Sequence, residues 1–212
     1  MSNRRYRLLC PVSRALDHVG DRWTLLILRD LHAGPVRHKE LAAGLTGIPS
    51  NVLATRLKEL VADGLVEKMT GEHDVPLYAL TDLGEATGPV LFELSKLGTR
   101  FAADEEPRPP GNLRLAAVFL KEAMSRVPDD AKLHVELRIG GESLDIHAHE
   151  GRVRVLYRPA TEPQAVISVP YEQMIAYGDG RITQEAFGQF ITVDGDAEIA
   201  GQFLQRLERA IQ

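Results

Sequence analysis

Residues 49–63 read PSNVLATRLKELVAD, and the fold around them turns on how this stretch is read. Leu53, Leu57, Leu60 and Val61 recur at i, i+4, i+7 and i+8, which puts them on one face of an amphipathic helix. The proline falls in the first turn, where its missing N–H costs nothing. The opposite face carries Asn51, Thr55 and Lys58, flanked by Ser50 and Arg56. Short hydrogen-bonding groups let a helix approach base edges in a DNA major groove, and cations at its margin neutralise phosphates. An ordinary surface helix can carry the same pattern, so the neighbouring segments decide between the two.

Upstream, residues 13–19 read as a short helix opened near Pro11. A second helix, capped by Asp21, spaces Trp23, Ile27 and Leu31 by four and ends at Gly34-Pro35. Residues 38–43 make a third, short helix with Leu41 inward, and the loop 45–48 leads into the helix quoted above. A short positioning helix followed by a longer reading helix is the helix-turn-helix order. Downstream, residues 65–69 and 76–80 read as two strands joined by the polar loop 70–74, an antiparallel hairpin. Three helices and such a ribbon predict a winged helix with residues 70–74 at the wing tip.

A chain of 212 residues suits one large or two small domains. Its single cysteine excludes an intramolecular disulfide and fits a reducing compartment. The first residues are basic but lack the apolar run of a signal peptide, and no stretch approaches the ~20 apolar residues of a membrane span. The expectation is a cytoplasmic protein. Net charge is −5, yet residues 1–70 carry 11 Lys or Arg against 7 Asp or Glu, and the remainder 14 against 23. The positive N-terminal section permits a phosphate-binding surface that the average conceals.

Several ordered motifs resemble the HxlR group of bacterial winged-helix regulators. They are Cys10-Pro11-Val12, residues 20–28 (GDRWTLLIL), Arg37-His38-Lys39-Glu40-Leu41, Ile48-Pro49-Ser50-Asn51-Val52-Leu53, Arg56-Leu57-Lys58-Glu59-Leu60, Asp63-Gly64-Leu65-Val66 and residues 78–84 (YALTDLG). The resemblance covers roughly residues 8–102. It implies a homodimer that binds inverted-repeat DNA near promoters, with Ser50, Asn51, Thr55 and Arg56 on the segment matching the recognition helix. His38, Lys39 and Lys58 complete the candidate DNA-binding set. The wing departs from a DNA-inserting design: its tip carries Glu72 and Asp74 beside His73, and like charge repels the phosphate backbone. Leu83, Val90, Leu94, Leu97 and Phe101 recur at near-heptad spacing, with Gly88-Pro89 expected to kink or restart the helix. In the resembling family the corresponding helix packs across the dimer axis, and dimerisation is the reading preferred over a core helix of the same domain.

A charged, proline-rich linker is expected at 105–112, separating an N-terminal domain (1–104) from a second at 113–212. The second domain reads as a helix over 115–126 with Leu115, Phe119, Leu120 and Met124 facing one way, then four strands in an antiparallel meander. Two short helices, a strand over 190–193 and a helix over 197–211 follow. This order, with residues 165–171 (AVISVPY), Gly178, Gly180 and residues 191–196 (ITVDGD), resembles the sterol-carrier-protein fold. The fold class is therefore α+β, a winged helix followed by a sterol-carrier-like domain. The second resemblance implies an apolar pocket, with Phe119, Met174, Phe187, Phe190 and Phe203 as candidate lining residues. Any small α/β core would contain the same residues.

Cys10 precedes a helix start, where the dipole and nearby Arg7 and Arg14 favour thiolate. Some members of the resembling family sense quinones or oxidants there; a small buried hydrophobe is the alternative. His147 and His149 share a strand face, with His134 on a neighbouring strand, and the preferred reading is a solvent face without metal. No cofactor is expected. No nucleophile elbow, phosphate-cradling glycine loop or HExxH helix is present, so an enzyme is not expected. The sequence thus predicts a dimeric DNA-binding regulator controlled by a small apolar effector. A lipid carrier using the winged helix only to dimerise, and a Cys10 thiol sensor, remain as alternatives.

Overall fold

In a computed structural model that describes residues 6–101, 112–127, 131–178 and 181–211, the chain divides into two compact units, residues 1–91 and 92–212. The linker expected at 105–112 lies, apart from Asn112, outside the described residues.

The first unit opens with α1 (Pro11–Val19), α2 (Thr24–Leu31), α3 (His38–Gly44) and α4 (Ser50–Ala62). Pro11 occupies the first turn of α1, and Asp21 accepts the Trp23 N–H at 2.9 Å just ahead of α2. Glu40 reaches back to the Arg37 N–H at 3.1 Å and closes the start of α3. Ile27, Leu28, Leu31, Leu41, Leu53 and Leu57 are buried together as the core of the three-helix array. Strands β1 (Val66–Thr70) and β2 (Pro76–Leu80) pair antiparallel, Val66 opposite Leu80, and a tight turn over Glu72–Asp74, with His73 and Asp74 at positive φ, makes the tip. Val36 exchanges both backbone hydrogen bonds with Tyr78 and adds one rung to the hairpin. The expected winged helix is formed.

The TDLG end of the 78–84 motif has a packing reason. Thr81 caps α5 (Asp82–Glu85), accepting from the Gly84 N–H at 3.2 Å while its hydroxyl donates to the Gly64 carbonyl at 2.6 Å. Gly84 has no Cβ because one would stand 2.1 Å from the Leu65 carbonyl oxygen. Buried His32 meets the Thr87 hydroxyl at 3.1 Å just beyond α5.

Helix α6 (Gly88–Gly98) restarts at Gly88-Pro89 as expected, and the division between the units falls within it, at 91/92. In the second unit, Phe92 stacks on Phe119 with ring centroids 5.2 Å apart, and Arg126 lies over Phe92 while pairing with Glu93 at 2.6 Å. Helix α7 (Arg114–Ser125) buries Ala117, Val118, Leu120, Ala123 and Met124. Leu115, expected on that face, is exposed. The apolar stripe runs instead from Leu113 through Ala117 and Leu120 to Met124, three or four residues apart, which leaves Leu115 on the outer side.

Five strands follow: β3 (Leu133–Ile139), β4 (Glu142–His149), β5 (Arg152–Tyr157), β6 (Ala165–Val169) and β7 (Thr192–Gly195), ordered β5-β4-β3-β6-β7. The expected four-strand meander is corrected here. It stops at β5, and β6 pairs parallel with β3, Val135 opposite Ala165. Residues 158–164 bring the chain from one edge to the other, pinned by Ala160 N–H on Glu136 (3.3 Å) and by Gln164 N–H on the His134 carbonyl (2.8 Å). Those anchors deliver β6 to the open edge of β3, not of β5. Helices α8 (Tyr171–Gly178), α9 (Gln184–Gly188) and α10 (Ala197–Ile211) complete the unit; β7 begins two residues later than the sequence suggested, leaving Phe190 outside it. The apolar face of the sheet (Val135, Leu137, Leu144, Ile146, Val155 and Ile167) is buried, and α7 and α10 pack on the strands. No helix among the described residues is long and apolar enough to cross a membrane.

Candidate nucleic-acid interface

Helix α4 buries Leu53, Leu57 and Leu60 and turns Ser50, Asn51, Ala54 and Lys58 to solvent, with Thr55 half-buried between them. Asn51, Ala54, Thr55 and Lys58 fall at i, i+3, i+4 and i+7, a single outward stripe. The Thr55 hydroxyl donates to the Asn51 carbonyl at 2.8 Å, so its proton is committed to the helix and its oxygen is left as an acceptor. Ala54 belongs to this stripe and was missed from the sequence because it carries no polar atom. Its spacing from Asn51 was the available signal. At the preceding helix, Lys39 is exposed and His38 half-buried.

Arg56 is placed differently from the expected phosphate contact. Its guanidinium pairs with Asp21 at 2.8 Å and with Glu59 at 2.6 Å. These charge-assisted bonds hold α4 against the turn before α2. At the C-terminal cap of α4, Asp63 meets His18 at 2.9 Å. The helix is thus tied to the rest of the unit at its middle and at its C-terminal cap.

A family profile described as HxlR-like helix-turn-helix matches residues 18–106. The HTH-type transcriptional regulator YvaP of Bacillus subtilis is 38% identical over 96 residues, spanning 44% of this chain and 89% of the relative. The chain belongs to the HxlR-like helix-turn-helix family. An HTH-type regulator of Synechocystis is 30% identical over 99 residues, 46% of this chain and 73% of the relative. The reduced form of the transcriptional regulator YodB from B. subtilis, a solved structure, aligns at 33% identity and a TM-score of 0.40 over 44% of this chain and 95% of that chain.

Within this HxlR-like unit, Cys10 is the N-cap of α1 and partly exposed. Its thiol is held below the usual range chiefly by the backbone N–H of Ser13 and then of Val12, against a small opposing effect of burial. The helix's own first-turn amides do this, not Arg7 or Arg14. The five candidate pocket residues lie on different segments of the second unit. Phe119 stacks on Phe92, Phe187 stacks on Tyr177 at 4.6 Å, and Phe203 is buried on α10. Met174 is half-buried on α8. Phe190 lines a cavity of about 240 Å³ with Val169, Pro170, Arg138, Ser168 and Thr192.

Proposed function

We propose that this chain is a homodimeric transcription regulator that reads inverted-repeat DNA with α4. The observation that carries the reading is the stripe Asn51, Ala54, Thr55 and Lys58 on a helix whose other face is buried and which is tied by ion pairs at its middle, through Arg56, and at its C-terminal cap, through Asp63. Asn51 has the geometry for bidentate bonding to adenine, Ala54 for a thymine methyl, and the Thr55 oxygen for an amino group of adenine or cytosine. Ser50, Lys58, His38 and Lys39 supply contacts to the backbone. Two copies related by a twofold axis place two such helices in successive major grooves, which requires half-sites about 34 Å apart.

Dimerisation is supported by two helices with exposed apolar stripes. Val12 and Leu16 lie along α1, with Leu9 exposed just before it, and Val90, Leu94 and Leu97 lie along α6, with Leu83 and Phe101 exposed to either side in sequence. Contiguous exposed apolar surface on a helix marks an interaction site. We assign effector binding to the second unit, where the sterol-carrier-like order and the cavity beside Phe190 support a small, partly apolar ligand. Such a ligand regulates only if it binds the DNA-competent and incompetent states with different affinity.

The test is recovery of preferred sites from fragments of the source genome at two salt concentrations, with the Asn51→Ala, Thr55→Ala double variant alongside. A shared inverted repeat, weakened by salt and lost in the variant, is the expected result. No enrichment by the wild-type chain, with or without cell-extracted lipids, would overturn it and favour the lipid-carrier alternative.

A further inference from the structure

The polar face of the five-stranded sheet holds a cluster that the DNA-binding reading does not use. His134 on β3 and His147 on β4 are direct register partners, and their rings stack with centroids 3.9 Å apart. Asp145 lies two residues along β4 on the same face. The Nε2 atoms of both histidines converge on one oxygen, Asp145 Oδ1, at 3.0 and 2.9 Å. All three donor atoms lie within 4.8 Å of one another. The other oxygen, Oδ2, is held by Arg158 through Nε and a terminal guanidinium nitrogen, both at 2.9 Å. From the sequence alone the histidines looked like a solvent face because Asp145, with 1% of its surface exposed, was not recognised as lying between them.

We propose that His134, Asp145 and His147 form a binding site for a divalent transition-metal ion of the zinc, nickel or copper group. The donor set is two imidazole nitrogens and one carboxylate oxygen, which suits those ions and not the all-oxygen preference of magnesium or calcium. Ligand atoms 2.9–3.0 Å apart subtend about 90° at an ion bound at 2.0–2.1 Å, the angle between adjacent positions of an octahedral or tetragonal site. Arg158 on Oδ2 turns Oδ1 toward the histidines, the role an outer-shell partner plays for a ligating carboxylate. The scaffold is rigid, since the positions are fixed by the β3–β4 ladder and no loop has to order. Buried Glu136, directly opposite Asp145 in the register, adds a second carboxylate to the neighbourhood. His147 is half-exposed, so an ion has an entry path, and three protein ligands leave positions for water or an exchangeable ligand. Binding of zinc, nickel or copper(II) forms two metal–nitrogen bonds and one metal–oxygen bond, displaces the Nε2 protons to Nδ1 or solvent, and involves no redox change.

The experiment is calorimetric titration of zinc, nickel and copper(II) into the chelator-stripped full chain without an affinity tag, with magnesium as a comparison. One ion per chain at micromolar affinity or tighter is expected for the transition metals, and none for magnesium. His147→Ala should weaken binding more than about a hundredfold, Arg158→Gln by about 10–100-fold as an outer-shell change, and His149→Ala not at all. The copper(II) form of the wild-type chain should show coupling to two nitrogens by electron paramagnetic resonance, a readout that stands even where a variant fails to fold. Absence of stoichiometric binding, affinity unchanged in His147→Ala, or a copper spectrum without two nitrogen ligands would overturn the proposal.

Discussion

Replacing Gly84 by alanine tests why the YALTDLG segment ends as it does. The backbone at Gly84 is helical, so the residue serves space and not a left-handed turn. An added Cβ would stand 2.1 Å from the Leu65 carbonyl oxygen and 3.0 Å from Leu80 Cδ2. Against an ordinary carbon–oxygen separation of about 3.3 Å, the overlap is roughly 1.2 Å, and the offending atom is backbone. Relieving it costs about 1–3 kcal/mol. Moving the Leu65 carbonyl also weakens the bond it accepts from Thr81 N–H, 3.1 Å long and worth about 1 kcal/mol. The better helix propensity of alanine returns about as much. The net expectation is a loss of about 1–3 kcal/mol. Urea unfolding followed by the fluorescence of Trp23, the single tryptophan, reports on this unit. Leu65 N–H bonds the Leu60 carbonyl at the end of α4, so DNA affinity should fall together with stability. Gly201 in α10 is the contrast: its Cβ would meet nothing within 4 Å, and alanine there should stabilise by up to about 1 kcal/mol in calorimetry. A Gly84→Ala chain as stable as the wild type would refute the packing argument.

Arg56→Ala and Lys58→Ala should separate positioning from phosphate contact. Arg56→Ala is expected to cost about 0.5–1 kcal/mol of stability and leave the salt slope of DNA binding unchanged, whereas Lys58→Ala should lower that slope by about one per half-site. Leu94→Glu should convert the dimer to monomer in sedimentation at micromolar concentration without loss of helicity, since the side chain is exposed in the single chain; an unchanged dimer would reassign the α6 stripe. Glu136 supplies a pH prediction for the metal-free protein. Burial pushes its carboxyl up, but hydrogen bonds from Ser143, Arg138 and the Ala160 N–H outweigh that and hold it below the ordinary range. With the folded pKa depressed, its stabilisation is complete above the ordinary glutamate value of about 4.3 and is lost as pH falls through the folded value. The stability gap between wild type and Glu136→Gln, measured by calorimetry, should therefore narrow on acidification, and a gap independent of pH would contradict the assignment.

Local periodicity made most of the first unit legible. Leu53, Leu57 and Leu60 announce the buried face of α4, and the polar loop between two β-rich runs announces the wing. Contacts between residues distant in sequence were not legible. Arg56 looks like a groove-edge cation until Asp21, thirty-five positions earlier, is found beside it. In the second unit, alternation correctly marked the strands but carries no information about their neighbours, so the parallel pairing of β6 with β3 was hidden. For the same reason alternation did not single out Asp145, which Arg158 and two histidines surround. Leu115 shows the smaller error that helical phase alone permits, because Leu113 and Ala117 satisfy the same stripe with the helix turned by part of a revolution.

The central claim is that the exposed stripe of α4 reads bases. On a recovered site, affinities of the wild-type chain and Asn51→Ala should be compared across operators substituted one base pair at a time, at fixed salt. The account predicts that the variant loses about 1–3 kcal/mol and its preference at one position per half-site, keeping its discrimination elsewhere and its salt slope. An even loss of affinity across all operators, with the base preferences of the wild type intact, would contradict it.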